Sequence, residues 1–178
     1  MKRSSSILST LLFALSVAAA PGAHAQASEP AATAVWNPIH PFFGSWTGVT
    51  TAYDPESATE RPKITRKYET AETGKHVQVN DRIGKSNWQV AGVISVDAAQ
   101  GSLVLSHLGT DGRLADLAFK PEQSSDARLV FIGVHDNPGQ TRVTYDRLNW
   151  NEFVERVEYA PQGQEFSLIR ETRFKRKG

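Results

Sequence analysis

From Gly44 to the C-terminus the chain is cut by turn signals into about ten short segments. Each segment alternates apolar and polar residues with period two, and none carries a helical period. The candidate strands cover 45–53, 63–71, 75–83, 88–97, 102–109, 114–120, 128–135, 141–149, 152–159 and 165–175. Glu72-Thr73-Gly74, Gly84-Lys85-Ser86, residues 97–101, Asp111-Gly112, Asn137-Pro138-Gly139 and Pro161-Gln162-Gly163 punctuate them as tight turns. Connections this short join antiparallel neighbours, so the predicted architecture is all-β: an up-and-down closed antiparallel barrel of about ten strands. A β-sandwich would need a longer crossover, for which 54–61 and 121–126 are the only candidates. Ahead of the strands, Trp36 to Phe43 holds two prolines and three aromatics, which suits a short helical turn plugging one barrel end.

Residues 1–25 read as a secretory signal peptide: Lys2 and Arg3, an apolar run over 7–20, then Ala23-His24-Ala25 as a small-x-small cleavage site. The apolar run falls short of the ~20 residues that span a bilayer, and Pro21 and Gly22 break it. Residues 26–40 form a flexible lead-in and 41–178 the barrel domain. The expected location is periplasmic or secreted, after cleavage near Ala25, with no stable membrane insertion.

There is no cysteine, which removes thiol catalysis, thiolate zinc sites and iron–sulfur clusters together. The chain carries 20 Lys and Arg against 19 Asp and Glu, and removing Lys2 and Arg3 leaves 18 against 19. A nearly neutral protein has no charge with which to capture nucleic acid. No G-x-S-x-G turn, glycine-rich phosphate loop or H-E-x-x-H helix is present, so neither a catalytic residue nor a cofactor is assigned. His107 and His135 with Asp81 or Glu155 lack metal-ligand spacing, and no metal site is assigned.

The apolar phase of the strands also contains Arg66, Asp81, His107, His135, Arg147, Glu155 and Arg170. A solidly packed small barrel would not tolerate seven ionisable groups on its inner face. Either they converge on a ligand in a partly wet lumen, or bulges flip the phase and turn some of them to solvent.

Gly44-Ser45-Trp46, preceded by Pro41-Phe42-Phe43, resembles the G-x-W opening of lipocalin-like (calycin) barrels. The stretches 151–159 and 168–174 resemble the end of secreted bacterial lipocalin-like proteins. The resemblance implies that Trp46 sits at the closed end against an arginine of the last strand, either Arg170 or Arg173, with parity favouring Arg170. It thus implies structural roles for Gly44, Trp46 and Arg170, and a barrel for a small, largely apolar molecule. The Arg-x-Tyr carboxylate element of fatty-acid-binding relatives is reversed here as Tyr145-Asp146-Arg147, and no histidine follows His135 to hold haem as nitrobindin-type relatives do.

The expectation is therefore an exported barrel that binds a small hydrophobic or amphipathic molecule. Val90, Ile94, Leu105, Phe119, Phe131 and Val143 would form the walls, with His107, His135, Tyr145, Arg147, Tyr68 and Glu155 as ligand-binding polar residues. Two other functions fit the same sequence. A barrel enzyme would use His107 or His135 as a base beside Asp81 or Glu155. An envelope interaction module would have a filled barrel and an exposed apolar patch at Trp36, Phe42 and Trp150.

Overall fold

The computed structural model describes residues 34–52, 63–71, 75–108, 114–135 and 139–178. The proposed signal peptide lies outside them. Ten strands follow a single 3-10 turn, His40–Phe42: β1 Gly44–Ala52, β2 Lys63–Thr70, β3 His76–Ile83, β4 Gln89–Asp97 and β5 Ser102–Leu108. The second half comprises β6 Leu114–Phe119, β7 Arg128–His135, β8 Gly139–Asn149, β9 Glu152–Pro161 and β10 Ser167–Arg176, with a second 3-10 turn at Pro121–Gln123. Each strand pairs antiparallel with its neighbours in sequence, and β1 pairs with β10 to close an up-and-down barrel. Closure leaves no unpaired sheet edge.

Alternation dictates what fills the barrel. Trp46, Gly48 and Thr50 of β1, Ile64, Arg66 and Tyr68 of β2, and Leu103, Leu105 and His107 of β5 are all buried, while their neighbours are not. One end is closed by the first 3-10 turn. There Ile39 and Phe42 are buried against Trp46, Tyr68, Tyr145 and Phe153, so the packed structure also takes in residues ahead of 41. Phe42 packs edge-on to Phe153 at 5.1 Å, and Phe153 packs edge-on to Trp46 at 4.7 Å and stacks on Phe174 at 4.8 Å. Gly48 makes this stack possible: a Cβ there would stand 2.6 Å from the Phe174 ring. The buried Phe42 also removes the apolar patch expected of an interaction module; of its three residues Trp36 is half-buried and only Trp150 is well exposed.

Three bulges shift the phase. Between β3 and β4 the register steps from Val79 opposite Gly92 to Asn80 opposite Val90, inserting Ala91. Val90, expected on the lumen wall, is therefore outside at 48% exposure, and Trp88, on the same phase, is outside at 39%. Trp88 lies instead on the outer surface beside Lys67 Nζ at 4.9 Å and the Arg82 guanidinium at 5.2 Å. A second insertion, Ile169, separates Leu168 opposite Glu158 from Arg170 opposite Val157. It turns Phe166 outward, where the Arg142 guanidinium covers its ring at 4.2 Å. The third, Leu148, ends the regular part of β8. Ile94, Leu105, Phe131 and Val143 are buried as expected of wall residues, and Phe119 is half-buried.

Candidate functional site: a charged floor inside the barrel

Above the aromatic plug the lumen holds a cluster of charges. Arg66 of β2 stands opposite Asp81 of β3 in the ladder, and this register produces a bidentate pair: Nε donates to Oδ1 and Nη2 to Oδ2, both at 2.7 Å. Its remaining nitrogen, Nη1, crosses the lumen. It donates to Glu155 Oε2 of β9 and, at 3.4 Å, to the Tyr68 hydroxyl. The guanidinium rests 4.6 Å from the Phe174 ring centroid, so the plug's aromatic stack also carries the cation. From β10, Arg170 reaches the other oxygen of Glu155, Nη2 donating to Oε1 at 3.2 Å. Two guanidinium groups and two carboxylates thus balance inside the barrel.

Burial and charge oppose each other at every member. Burial alone would raise the Glu155 carboxyl, but Arg66 and then Arg170 outweigh it and hold it at about 2. Burial would lower Arg66, but Glu155 and Asp81 raise it further above its already high value. Tyr68 and Tyr145 are pushed up by burial and remain neutral phenols. His107, on the lumen face of β5, is lowered to about 4 by burial and stays an uncharged imidazole at neutral pH. With both Glu155 oxygens engaged by guanidinium groups, the cluster is built to hold charge in place, with His107 beside it as a neutral side chain.

Of the six residues expected to bind ligand, Tyr68, Tyr145, Glu155 and His107 face the lumen around this cluster. Arg147 does not. It keeps the lumen phase, opposite the buried Phe153, but lies near the strand end at the plugged rim, where Nη2 donates to the Asp126 carbonyl at 2.8 Å and the guanidinium lies 5.0 Å from the Trp150 ring centroid. It lines an outer cleft of about 440 Å³ with Pro41, Phe119, Leu129 and Trp150. The His135 side chain lies outside the described residues. Arg66 and Asp81, left out of the expected binding set, are the centre of the cluster; their inward parity is the signal that marks them.

The structural trio also needs one correction. Gly44 opens β1 with φ +112°, a conformation that favours glycine, and the Trp46 Nε1 donates to the Phe42 carbonyl at 2.7 Å. The arginine over Trp46 is Arg176, at 4.2 Å from the ring centroid, rather than Arg170 or Arg173. Trp46 pairs with Arg176 in the ladder, whereas Arg170 lies six residues back along β10, opposite Ala52. Arg173 points outward to Glu152. Arg176 further donates from Nη1 to the Phe43 carbonyl at 2.8 Å, from Nη2 to Pro41 at 2.9 Å and from Nε to Trp150 at 3.1 Å, clamping the plug to the last strand.

Among the described residues no group of three or more His, Asp or Glu side chains is placed to hold a metal ion, and no helix is long and apolar enough to cross a membrane. No protein-family model matches the sequence, and no curated protein is significantly similar to it. Among solved structures, a protein of unknown function of the DUF3598 family from Nostoc punctiforme is similar with a TM-score of 0.49 and 10% identity. The match covers 78% of this chain and 49% of the other, so the chain spans about half the length of that protein.

Proposed function

We propose that this chain is an exported lipocalin-like barrel that binds a small amphipathic molecule in its lumen. One observation carries the reading: a closed barrel whose inner face combines apolar walls with a fixed, internally neutralised set of charges. Ile94, Leu105, Leu117, Val143 and Val157 supply the walls. The polar floor is expensive to bury and would be replaced by apolar side chains at no loss if the lumen served only as a core. The plug closes one end, so a ligand would enter from the other.

The enzyme reading has less support. Glu155 held at about 2 is a poor proton acceptor, and His107 is held at about 4. Native mass spectrometry of protein purified from its native host tests the proposal. The expected result is a mass adduct that persists under native conditions and leaves on unfolding. Protein that carries no adduct and also takes up no apolar fluorescent probe would reject it.

A further inference from the structure

We propose that the outer surface of β3–β6 at the unplugged end docks on an anionic lipid bilayer. Trp88 and its apolar neighbours enter the headgroup layer, and the lysine and arginine side chains around them meet lipid phosphates. The proposal concerns the outside of the barrel and goes beyond the ligand-binding reading of its inside. It starts from where the exposed apolar side chains lie. Ile83 ends β3, Trp88 and Val90 flank the start of β4, Leu108 ends β5 and Leu114 opens β6, so all five stand at the end opposite the plug. They are between 39% and 70% exposed. The ladder makes them neighbours: Leu108 pairs with Leu114, and Val90 comes two residues before Gly92, the partner of His107. The outer wall of β8–β10 is different. There Arg142 makes a bidentate pair with Glu158, and Arg156 bridges Asp146 and Glu171. A contiguous apolar surface on one side of a barrel, with paired charges covering another, marks where the molecule meets something else.

Charge decides what that is. Lys67 Nζ and the Arg82 guanidinium lie beside the Trp88 ring. Lys85 is exposed in the β3–β4 turn, and exposed Lys63 is tied to the same turn, its carbonyl accepting from the Gly84 N–H at 3.0 Å. The described carboxylates of β2–β6 lie away from this surface. Asp81 is on Arg66 in the lumen, and Asp116 accepts from the Ser106 hydroxyl. Glu69, 3.8 Å from Lys67 Nζ, and Asp97 stand toward the plugged end of their strands. A second copy seated here about a two-fold axis would set the cations against their own images. An anionic bilayer suits both parts of the surface. An indole lies at headgroup level with its apolar body inward, and lysine and arginine lay their stems along apolar surface while their heads reach phosphate. A few apolar side chains with cations around them give peripheral, reversible attachment, with no segment crossing the bilayer. In this orientation the unplugged end faces the lipid.

Vesicle flotation tests this on the mature chain, which begins after the proposed cleavage site so that the apolar leader cannot itself bind lipid. The vesicles are of phosphatidylglycerol, which is anionic, or of phosphatidylcholine, which is not. The expected result is at least about tenfold tighter binding to phosphatidylglycerol, weakened by added salt. Trp88→Ala lowers that binding about tenfold, and Lys63→Gln with Lys85→Gln lowers it by about fivefold for each lysine. Trp150→Ala, which removes an exposed indole at the plugged end, binds as the wild type does. No binding to either vesicle, equal binding to both, or binding unchanged in Trp88→Ala and in the double lysine variant overturns the docking surface. So does a wild type that dimerises and stays off vesicles while Trp88→Ala is a monomer, which gives the surface to a second copy. Each of these results leaves the ligand-binding reading to the mass adduct and the apolar probe, which do not depend on vesicles. Thermal melts establish that each variant is folded, and the double lysine variant carries the test if Trp88→Ala does not fold.

Discussion

Glu155 shows how one buried side chain can matter out of proportion to its size. It accepts from Arg66 and Arg170 on separate oxygens while almost fully excluded from water. A buried ion pair adds little net stability over an apolar replacement, but losing one partner strands the other charge. Glu155→Gln is therefore expected to destabilise the barrel by about 3–5 kcal/mol, the range for breaking such a pair. The double change Arg66→Met with Glu155→Gln should recover much of that loss, because Asp81 is half-buried and can rehydrate. Urea titrations of the single and double variants measure both, and a double variant no more stable than Glu155→Gln would remove the coupling. The residues of this cluster are legible from parity alone. What parity does not supply is which cation meets which carboxylate, since that depends on Arg66 crossing the lumen beneath β1 and β10. The same limit misassigns the partner of Trp46: Arg170, Thr172, Phe174 and Arg176 share one phase, and only strand register selects the last.

The plug and the last strand act as one unit. Four contacts of Arg176 reach Trp46, Phe43, Pro41 and Trp150, from both sides of the closed end. Arg176→Ala removes three hydrogen bonds and the cation–π contact and should lower stability by about 2–4 kcal/mol, at roughly 1 kcal/mol for each interaction. Arg176→Lys retains the charge over the indole but cannot make three directed bonds, so it should recover only a minor part. Acrylamide quenching gives a second readout: Trp46 is buried, and its emission should become accessible in Arg176→Ala before global unfolding. Equal quenching in wild type and variant would separate the clamp from the plug. Strand positions are readable because a closed meander repeats one simple pattern, alternation then turn. The bulges are not. Val90-Ala91-Gly92 and Leu168-Ile169-Arg170 offer no polar residue at the inserted position, so an extra Ala or Ile is invisible to alternation. That is why alternation puts Val90 inside when it is outside.

For the barrel taken together, the consequence of a charged lumen is a marked dependence on acid. His107 faces Glu155 from β9, Arg170 from β10, Arg66 from β2 and Asp81 from β3, and burial lowers it to about 4 from its ordinary 6.5. Between those values the unfolded chain binds a proton that the folded barrel refuses, so stability falls as pH drops through this window. Glu155, depressed from 4.5 to about 2, acts in the same direction over the next interval: its contribution is complete above the unfolded value and is lost as pH falls towards 2. The two groups together predict a progressive loss of stability from about pH 6.5 downward, with little change between pH 7 and 9. The upper part belongs to His107 and is on the order of 3 kcal/mol, at about 1.4 kcal/mol for each tenfold weakening of its hold on the proton. His107→Gln, an uncharged polar replacement, should flatten the curve between pH 6.5 and 4.5 and leave the steeper fall below it intact. Urea midpoints of the two proteins across this range check the assignment. If the slopes above pH 4.5 coincide, His107 titrates freely and is not enclosed with the charges of the lumen floor.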